Sequence, residues 1–265
     1  MTARRPGVRL GVLLGTGLLL LGQIGAAGAA RAEPIRVAVA SNFADCLEVL
    51  AADFADSTGH RVVLSRGSTG RHFAQIMSGA PFDVFFAADS LRPALLEKEG
   101  LAEPGTRFTY AEGRLALWLP GAGPRESRTA AAVLQEGAFD HLAIANPRLA
   151  PYGLAARQVL ESLDLWDRLQ PHLVTGQSVG QAWQFTASDN AAAGFVAYPQ
   201  ILAAPEMRGT WWLIDPPLHA PILQQAVVLK NAAHPAAARQ LLAFVRGPRG
   251  RLTLEKFGYL IPEDR

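Results

Sequence analysis

Residues 35–54 hold the feature that constrains this chain most, because the hydrophobic period changes in the middle of the stretch. Ile35-Arg-Val-Ala-Val-Ala40 is short, β-branched and apolar, the pattern of a buried parallel strand. From there Phe43, Leu47, Leu50 and Phe54 recur at the spacing of one helix face. Between the two lie Ser41 and Asn42, both favoured N-cap residues. The pattern predicts a strand over 35–40 and a helix over 43–56. Helix capping alone would account for the small polar side chains at the turn. A strand that runs straight into a helix also presents free backbone N–H groups and the positive end of the helix dipole, which suits an anion.

The same grammar returns along the chain. A second strand reads His60 to Ser65, then Arg66-Gly-Ser-Thr-Gly70, then a helical run with Phe73, Ile76 and Met77. No Lys follows that glycine turn, so it is not a Walker A loop. Phe82 to Ala87 reads as a third buried strand, with a helix from Leu91 to Glu99. Strands and helices in alternation describe a parallel sheet wrapped by helices. The pattern restarts at 130–136 (helix), His141 to Ala145 (strand), 154–168 (helix), Leu173 to Thr175 (strand) and 180–187 (helix). Ser178-Val-Gly-Gln181 fits a capping box. Gly194 to Tyr198 and Trp211 to Ile214 read as further strands, and helices at 235–246 and from Pro248 to Phe257 close the chain. Two extended segments, near 112–119 and 222–229, are positioned to carry the chain across and back between two α/β units. The expected organisation is a signal peptide over 1–32, a first lobe over 33–115, a second lobe over 116–222, and a return to the first lobe over 223–265. Two lobes joined by two crossings imply a cleft with a hinge.

The first 32 residues are read as a signal peptide: Arg4, Arg5 and Arg9, an apolar run, then Ala30-Arg-Ala32 before Glu33-Pro34. Removing them lowers Lys+Arg from 25 to 21 against 23 Asp+Glu, so the formal charge becomes about −2 rather than +2. No basic tract points to nucleic acid. Cys46 is the single cysteine, which rules out an intramolecular disulfide and argues against a cysteine metal cage. The six His residues, at 60, 72, 141, 172, 219 and 234, are scattered. H-E-x-x-H and Ser-x-x-Lys patterns are absent, so the chain is not expected to be an enzyme.

Four strand-to-helix turns remain: Ser41-Asn42, Ser68-Thr69, Pro151-Tyr152-Gly153 and Ser178-Val179, two in each lobe. In open parallel sheets such turns lie at the carboxyl ends of the strands, where ligands bind. The sequence here resembles the periplasmic molybdate-binding proteins of ABC transporters, within the type II periplasmic-binding-protein fold. The resemblance is carried by Val37-Ala-Val-Ala-Ser-Asn-Phe43, Ser65-Arg-Gly-Ser-Thr-Gly70, Gly79 to Asp89, Asn146-Pro147 with Ala150-Pro-Tyr-Gly153, Gly194-Phe-Val-Ala197 and Phe257 to Pro262. It implies oxyanion-binding roles for Ser41, Asn42, Ser68, Tyr152 and, through its backbone, Val179. Some members instead use a Tyr in the strand matching 194–197; here that stretch holds Phe195, with Tyr198 one step on, which favours Tyr152 as the phenol donor. The resemblance further implies a soluble periplasmic monomer, with molybdate or tungstate as ligand, no cofactor, and an ABC-transporter permease as partner. Molybdate at neutral pH is a dianion without a proton, and donor-only turns suit it. Another oxyanion such as sulfate or phosphate is the alternative, with a secreted enzyme ranked behind it. Arg66 and Arg71 are expected to be solvated surface residues, and Asp45 to point outward.

Overall fold

The structure, a computed structural model, describes residues 1–3, 34–121, 128–137, 139–206 and 209–262. The signal peptide expected over 1–32 lies almost wholly outside the described residues. Residues 32–265 form one compact unit.

Within that unit the chain builds two five-stranded sheets. The first begins with β1 (Ile35–Ala40), α1 (Ala44–Thr58), β2 (Val62–Gly67), α2 (Thr69–Met77), β3 (Val84–Ala87), α3 (Leu91–Lys98) and β4 (Phe108–Gly113). The second is built from β5 (Leu115–Leu119), α4 (Ala130–Glu136), β6 (Leu142–Ala145), α5 (Pro151–Ser162), α6 (Trp166–Leu169), β7 (Leu173–Gly176), α7 (Val179–Ala187), β8 (Ala193–Ala197), α8 (Tyr198–Ala203) and β9 (Thr210–Leu213). The chain then returns through β10 (Ile222–Val228), α9 (Pro235–Arg246) and α10 (Pro248–Lys256).

Strand order is β2-β1-β3-β10-β4 in one sheet and β7-β6-β8-β5-β9 in the other. Each sheet therefore has three parallel strands followed by an antiparallel one, β10 or β5, next to its edge. This is the two-lobed α/β architecture of type II periplasmic binding proteins. The chain leaves the first sheet at Gly113 and enters the second at Leu115, so only Arg114 separates the two strands. The stretch expected to cross near 112–119 is thus two strands in different sheets. The return passes through a short turn at Pro216–Leu218.

Each lobe has its own core. Phe43, with Leu47, Leu50 and Phe54 of α1, packs with Val37, Val39, Phe86 and the α9 residues Ala238, Leu241 and Val245. Leu142, Ile144, Tyr152, Val159 and Phe195 anchor the second lobe. Ala40 and Ala88 of the first lobe, with Ile222 of β10, join that second cluster, so apolar packing runs across the cleft.

Three local expectations differ from the structure. Strand β2 spans Val62–Gly67 rather than 60–65, because parallel pairing sets Gly67 beside Ala40. Helix α5 starts at Pro151, not 154, using proline at its first turn. It stops at Ser162, since Asp164 takes φ 56 and breaks the run expected to reach 168.

Candidate functional site

The four turns meet. Ala40, Ser41, Asn42, Gly67, Ser68, Thr69 and Ala88 from the first lobe, with Ala150, Pro151, Tyr152 and Val179 from the second, line one cavity of about 10 Å³. All five residues singled out by the resemblance lie on it. That volume is about the room for one water, so seating a four-oxygen tetrahedral anion requires the lobes to stand slightly further apart. A larger groove of about 410 Å³, lined by Asn146, Arg148, Arg157 and Trp166 among others, lies on the second lobe alone. It contains none of the buried, unpartnered side-chain atoms found among the described residues.

The site's chemistry follows from what each polar group already does. Helix α1 is capped at Phe43 and receives no side-chain cap bond, so neither Ser41 nor Asn42 serves as the cap. Ser41 Oγ instead accepts from the Gly180 N–H at 3.0 Å, across the cleft. Its own proton remains to be donated. Ser68 occupies the N-cap position of α2, yet it makes no cap bond, and its buried Oγ has no partner. Thr69 Oγ1 accepts from the Ala88 N–H at 2.9 Å. Ser178 does cap: its Oγ accepts from the Gln181 N–H at 3.3 Å. Gln181 Oε1 reaches back to the Gln177 N–H, one residue before the position a standard capping box would use. The backbone N–H groups of Asn42, Thr69, Tyr152 and Val179 have no hydrogen-bond partner among the described residues. Free N–H groups at helix starts and an orphaned hydroxyl make a cavity lined by donors.

Asn42 departs from its expected role. Its side-chain amide was expected to face the ligand, but Nδ2 donates to Gln224 Oε1 at 2.7 Å and to the Tyr259 hydroxyl at 3.2 Å. Its Oδ1 is buried without a partner. Sequence reasoning missed Gln224, Tyr110 and Tyr259, which stand behind the turns. The Tyr110 hydroxyl faces two acceptors, Gln224 Oε1 at 2.9 Å and the Ala87 carbonyl at 3.2 Å, and Tyr259 donates to the Asn42 carbonyl at 2.8 Å. Burial holds the phenols of Tyr110, Tyr152 and Tyr259 well above the ordinary range, so all three stay protonated.

The charged residues stand aside. Arg66 pairs with Asp45 at 2.8 Å and with Glu48, and both Asp45 and Arg66 are about half exposed. Arg71 is exposed. Tyr198 opens α8, lies under the Arg114 guanidinium, packs on Trp211, and does not line the cavity. Among the described residues, no carboxylate lines it.

The lobes touch at the same place. The Gly70 N–H donates to the Leu149 carbonyl at 2.8 Å, and the Arg92 guanidinium to the Arg148 carbonyl at 2.9 Å. A side chain at Gly70 would sit 2.9 Å from that same Leu149 oxygen, so this approach needs glycine.

Comparison with known proteins gives the family and the fold. The bacterial extracellular solute-binding protein family matches residues 35–260. A relative from Azotobacter vinelandii named molybdate-binding protein ModA is 44% identical over 252 residues, covering 95% of this chain and 96% of the relative. A Rhodobacter capsulatus protein of the same name is 42% identical, covering 89% and 92%. The solved Azotobacter vinelandii periplasmic molybdate-binding protein superposes with a TM-score of 0.82 at 45% identity, over 86% of this chain and all of that one.

Proposed function

The chain belongs to the bacterial extracellular solute-binding protein family, and we propose that it captures molybdate, or its near-equivalent tungstate, and delivers it to the permease of an ABC transporter. As a solute-binding protein it is not an enzyme: it binds and releases its ligand unchanged. The proposed ligand set is Ser41, Asn42, Ser68, Tyr152 and Val179. Asn42 and Val179 contribute backbone N–H groups, and the other three contribute hydroxyls. No cofactor takes part. The protein is exported by its signal peptide and works as a periplasmic monomer, with lobes over 33–115 plus 223–265 and over 116–222.

One observation carries this reading. The Ser68 hydroxyl is buried at the cavity without any partner, although its position would allow it to cap α2. A buried hydroxyl left unpaired costs about 1–3 kcal/mol, and an anion accepting its proton removes that cost. Relatives named molybdate-binding protein support molybdate as that anion.

Thermal unfolding against a panel of anions tests it. Ligand at about 100 times its dissociation constant adds roughly 2.7 kcal/mol, several degrees of Tm for a chain of this size. Molybdate and tungstate should raise Tm most, with sulfate far behind. A shift with sulfate or phosphate and none with millimolar molybdate would replace this ligand with another oxyanion.

A further inference from the structure

Gln224 lies in β10 of the first lobe, fully buried, beside an irregularity in the β4 pairing between Gln224 and Gln225. Such bulges re-aim side chains. Its amide joins three groups: Oε1 meets Asn42 Nδ2 and the Tyr110 hydroxyl, and Nε2 meets the Tyr152 hydroxyl at 3.4 Å across the cleft.

One backbone carbonyl sets the proton directions from Tyr259 through Asn42 to Gln224, while the Tyr110 hydroxyl has two acceptors in reach, Gln224 Oε1 at 2.9 Å and the Ala87 carbonyl at 3.2 Å. A carbonyl oxygen can only accept, so the Tyr259 proton goes to the Asn42 C=O. The Tyr259 oxygen must then accept from the Asn42 amide, which makes the atom facing it Nδ2 and not Oδ1. That same nitrogen also faces Gln224, so the Gln224 atom beside it must be the acceptor Oε1. The other end of Gln224 is therefore Nε2, a pure donor, and the Tyr152 oxygen must accept from it. Tyr152 has a single proton. With its oxygen turned to Gln224, that proton points away from Gln224, to the cavity that Tyr152 lines together with the neighbouring Asn42.

We infer that Gln224 is the positioning residue that makes Tyr152 a compulsory hydrogen-bond donor to the bound oxyanion. This rests on the oxyanion reading above and adds a residue that does not itself line the cavity. It explains why a neutral amide occupies a fully buried strand position. An apolar residue there would leave the phenol free to turn, and a carboxylate would take its proton. Gly113 supports the arrangement: a side chain there would come within 2.3 Å of the Tyr152 hydroxyl and 2.6 Å of Gln224 Nε2.

The test is a double-mutant cycle read by calorimetric titration with molybdate, beside apo thermal melts. Tyr152→Phe should weaken binding about tenfold to a hundredfold, the loss of one donor to a charged ligand. Gln224→Met alone should cost about threefold to tenfold, a typical coupling between contacting groups. On the Tyr152→Phe background the same change should alter affinity by less than about twofold, because its route to the ligand is gone. An equal loss on both backgrounds would overturn the inference, since Gln224 would then act through general packing. Gln224→Glu gives a second measurement if the Met variant folds poorly. Its carboxyl, once protonated, has the shape and polarity of the amide; ionised, it accepts the Tyr152 proton. Molybdate affinity of this variant should recover as pH falls from about 8.5 to about 6, as burial raises the carboxyl's titration into that range. Wild-type-like affinity at every pH would also overturn the inference. Absence of molybdate binding by the unaltered protein is a distinct outcome, which removes the ligand assignment itself.

Discussion

Ser68→Ala separates a ligand-binding hydroxyl from a capping one. Ser68 has the extended backbone of an N-cap residue, φ −83 and ψ 150, but its side chain makes no cap bond. Its hydroxyl is buried and unpartnered in the unliganded protein. Removing it therefore breaks no contact in the apo state and deletes a desolvated polar group, so apo Tm should hold or rise slightly. In the complex the hydroxyl donates to a dianion, an interaction worth roughly 1.5–3 kcal/mol. At about 1.4 kcal/mol per decade, the dissociation constant should rise roughly tenfold to a hundredfold. Ser178→Ala is the internal control. Its Oγ accepts from the Gln181 N–H at 3.3 Å, a true cap worth about 0.5–2 kcal/mol. That variant should lose a few degrees of apo Tm, at about 2–4 °C per kcal/mol, with affinity much less affected. Titration calorimetry at fixed pH and apo melts read both quantities. If Ser68→Ala lowered apo Tm as Ser178→Ala does and left affinity unchanged, the donor assignment would be refuted.

Three further outcomes follow from the same geometry. Trp118 of β5 stacks on Trp183 of α7 with ring centroids 4.4 Å apart, and α7 begins at Val179 on the cavity wall. Molybdate should therefore change intrinsic fluorescence, and Trp183→Phe should remove most of that change; an unaltered signal in the variant would locate the reporter elsewhere. Gly113→Ala should reduce molybdate affinity more than apo stability, because the added methyl meets the Tyr152 hydroxyl and Gln224 at the cleft; equal affinity would show that the phenol has room to move. His72 is buried against Phe82 and Phe85, and burial lowers its pKa from the ordinary 6.5. The unfolded chain then binds the proton more readily, so this contribution to stability is complete above about pH 6.5 and is lost as pH falls toward the lowered value. Apo melts should show a shallower acid-side decline in His72→Phe than in the unaltered chain, and identical slopes would exclude His72 as its source.

The parts of this molecule legible in the sequence are the local ones. The change of period at Phe43, the small polar turns and the proline-flanked helices each depend on neighbours a few residues apart. They were enough to indicate two α/β lobes and the four turns that line the cavity. What stayed hidden depends on contacts across the chain. Asn42 meets Gln224 from 182 residues away and Tyr259 from 217 away. Within Ile222–Val228, Gln224 and Gln225 read as polar interruptions of an apolar strand, and only Gln224 is fully buried. The signal that could have singled out Gln224 is strand alternation. It shares a face with Ile222 and Ala226, both buried, so a polar residue there required a buried partner.

Proton polarity also bounds the selectivity this site can reach. Monohydrogen phosphate carries a proton that must find an acceptor in the cavity, whereas molybdate, tungstate and sulfate carry none. Two of the hydroxyl oxygens expected at the ligand are already accepting: Ser41 from Gly180, and Tyr152 from Gln224. The nearest carboxylate in sequence, Asp45, is paired with Arg66 outside the cavity. Among side-chain atoms of the cavity-lining residues, the buried and unpartnered acceptors are Ser68 Oγ and Asn42 Oδ1. Accepting phosphate's proton at Ser68 turns that oxygen's lone pair toward the ligand and draws its own proton away from an ideal donor direction. Discrimination against phosphate is thus a graded penalty set by these two atoms. Sulfate escapes it entirely, so only size can exclude sulfate. Its shorter bonds leave it loose in a donor shell fitted to molybdate, because hydrogen bonds weaken beyond about 3.2 Å.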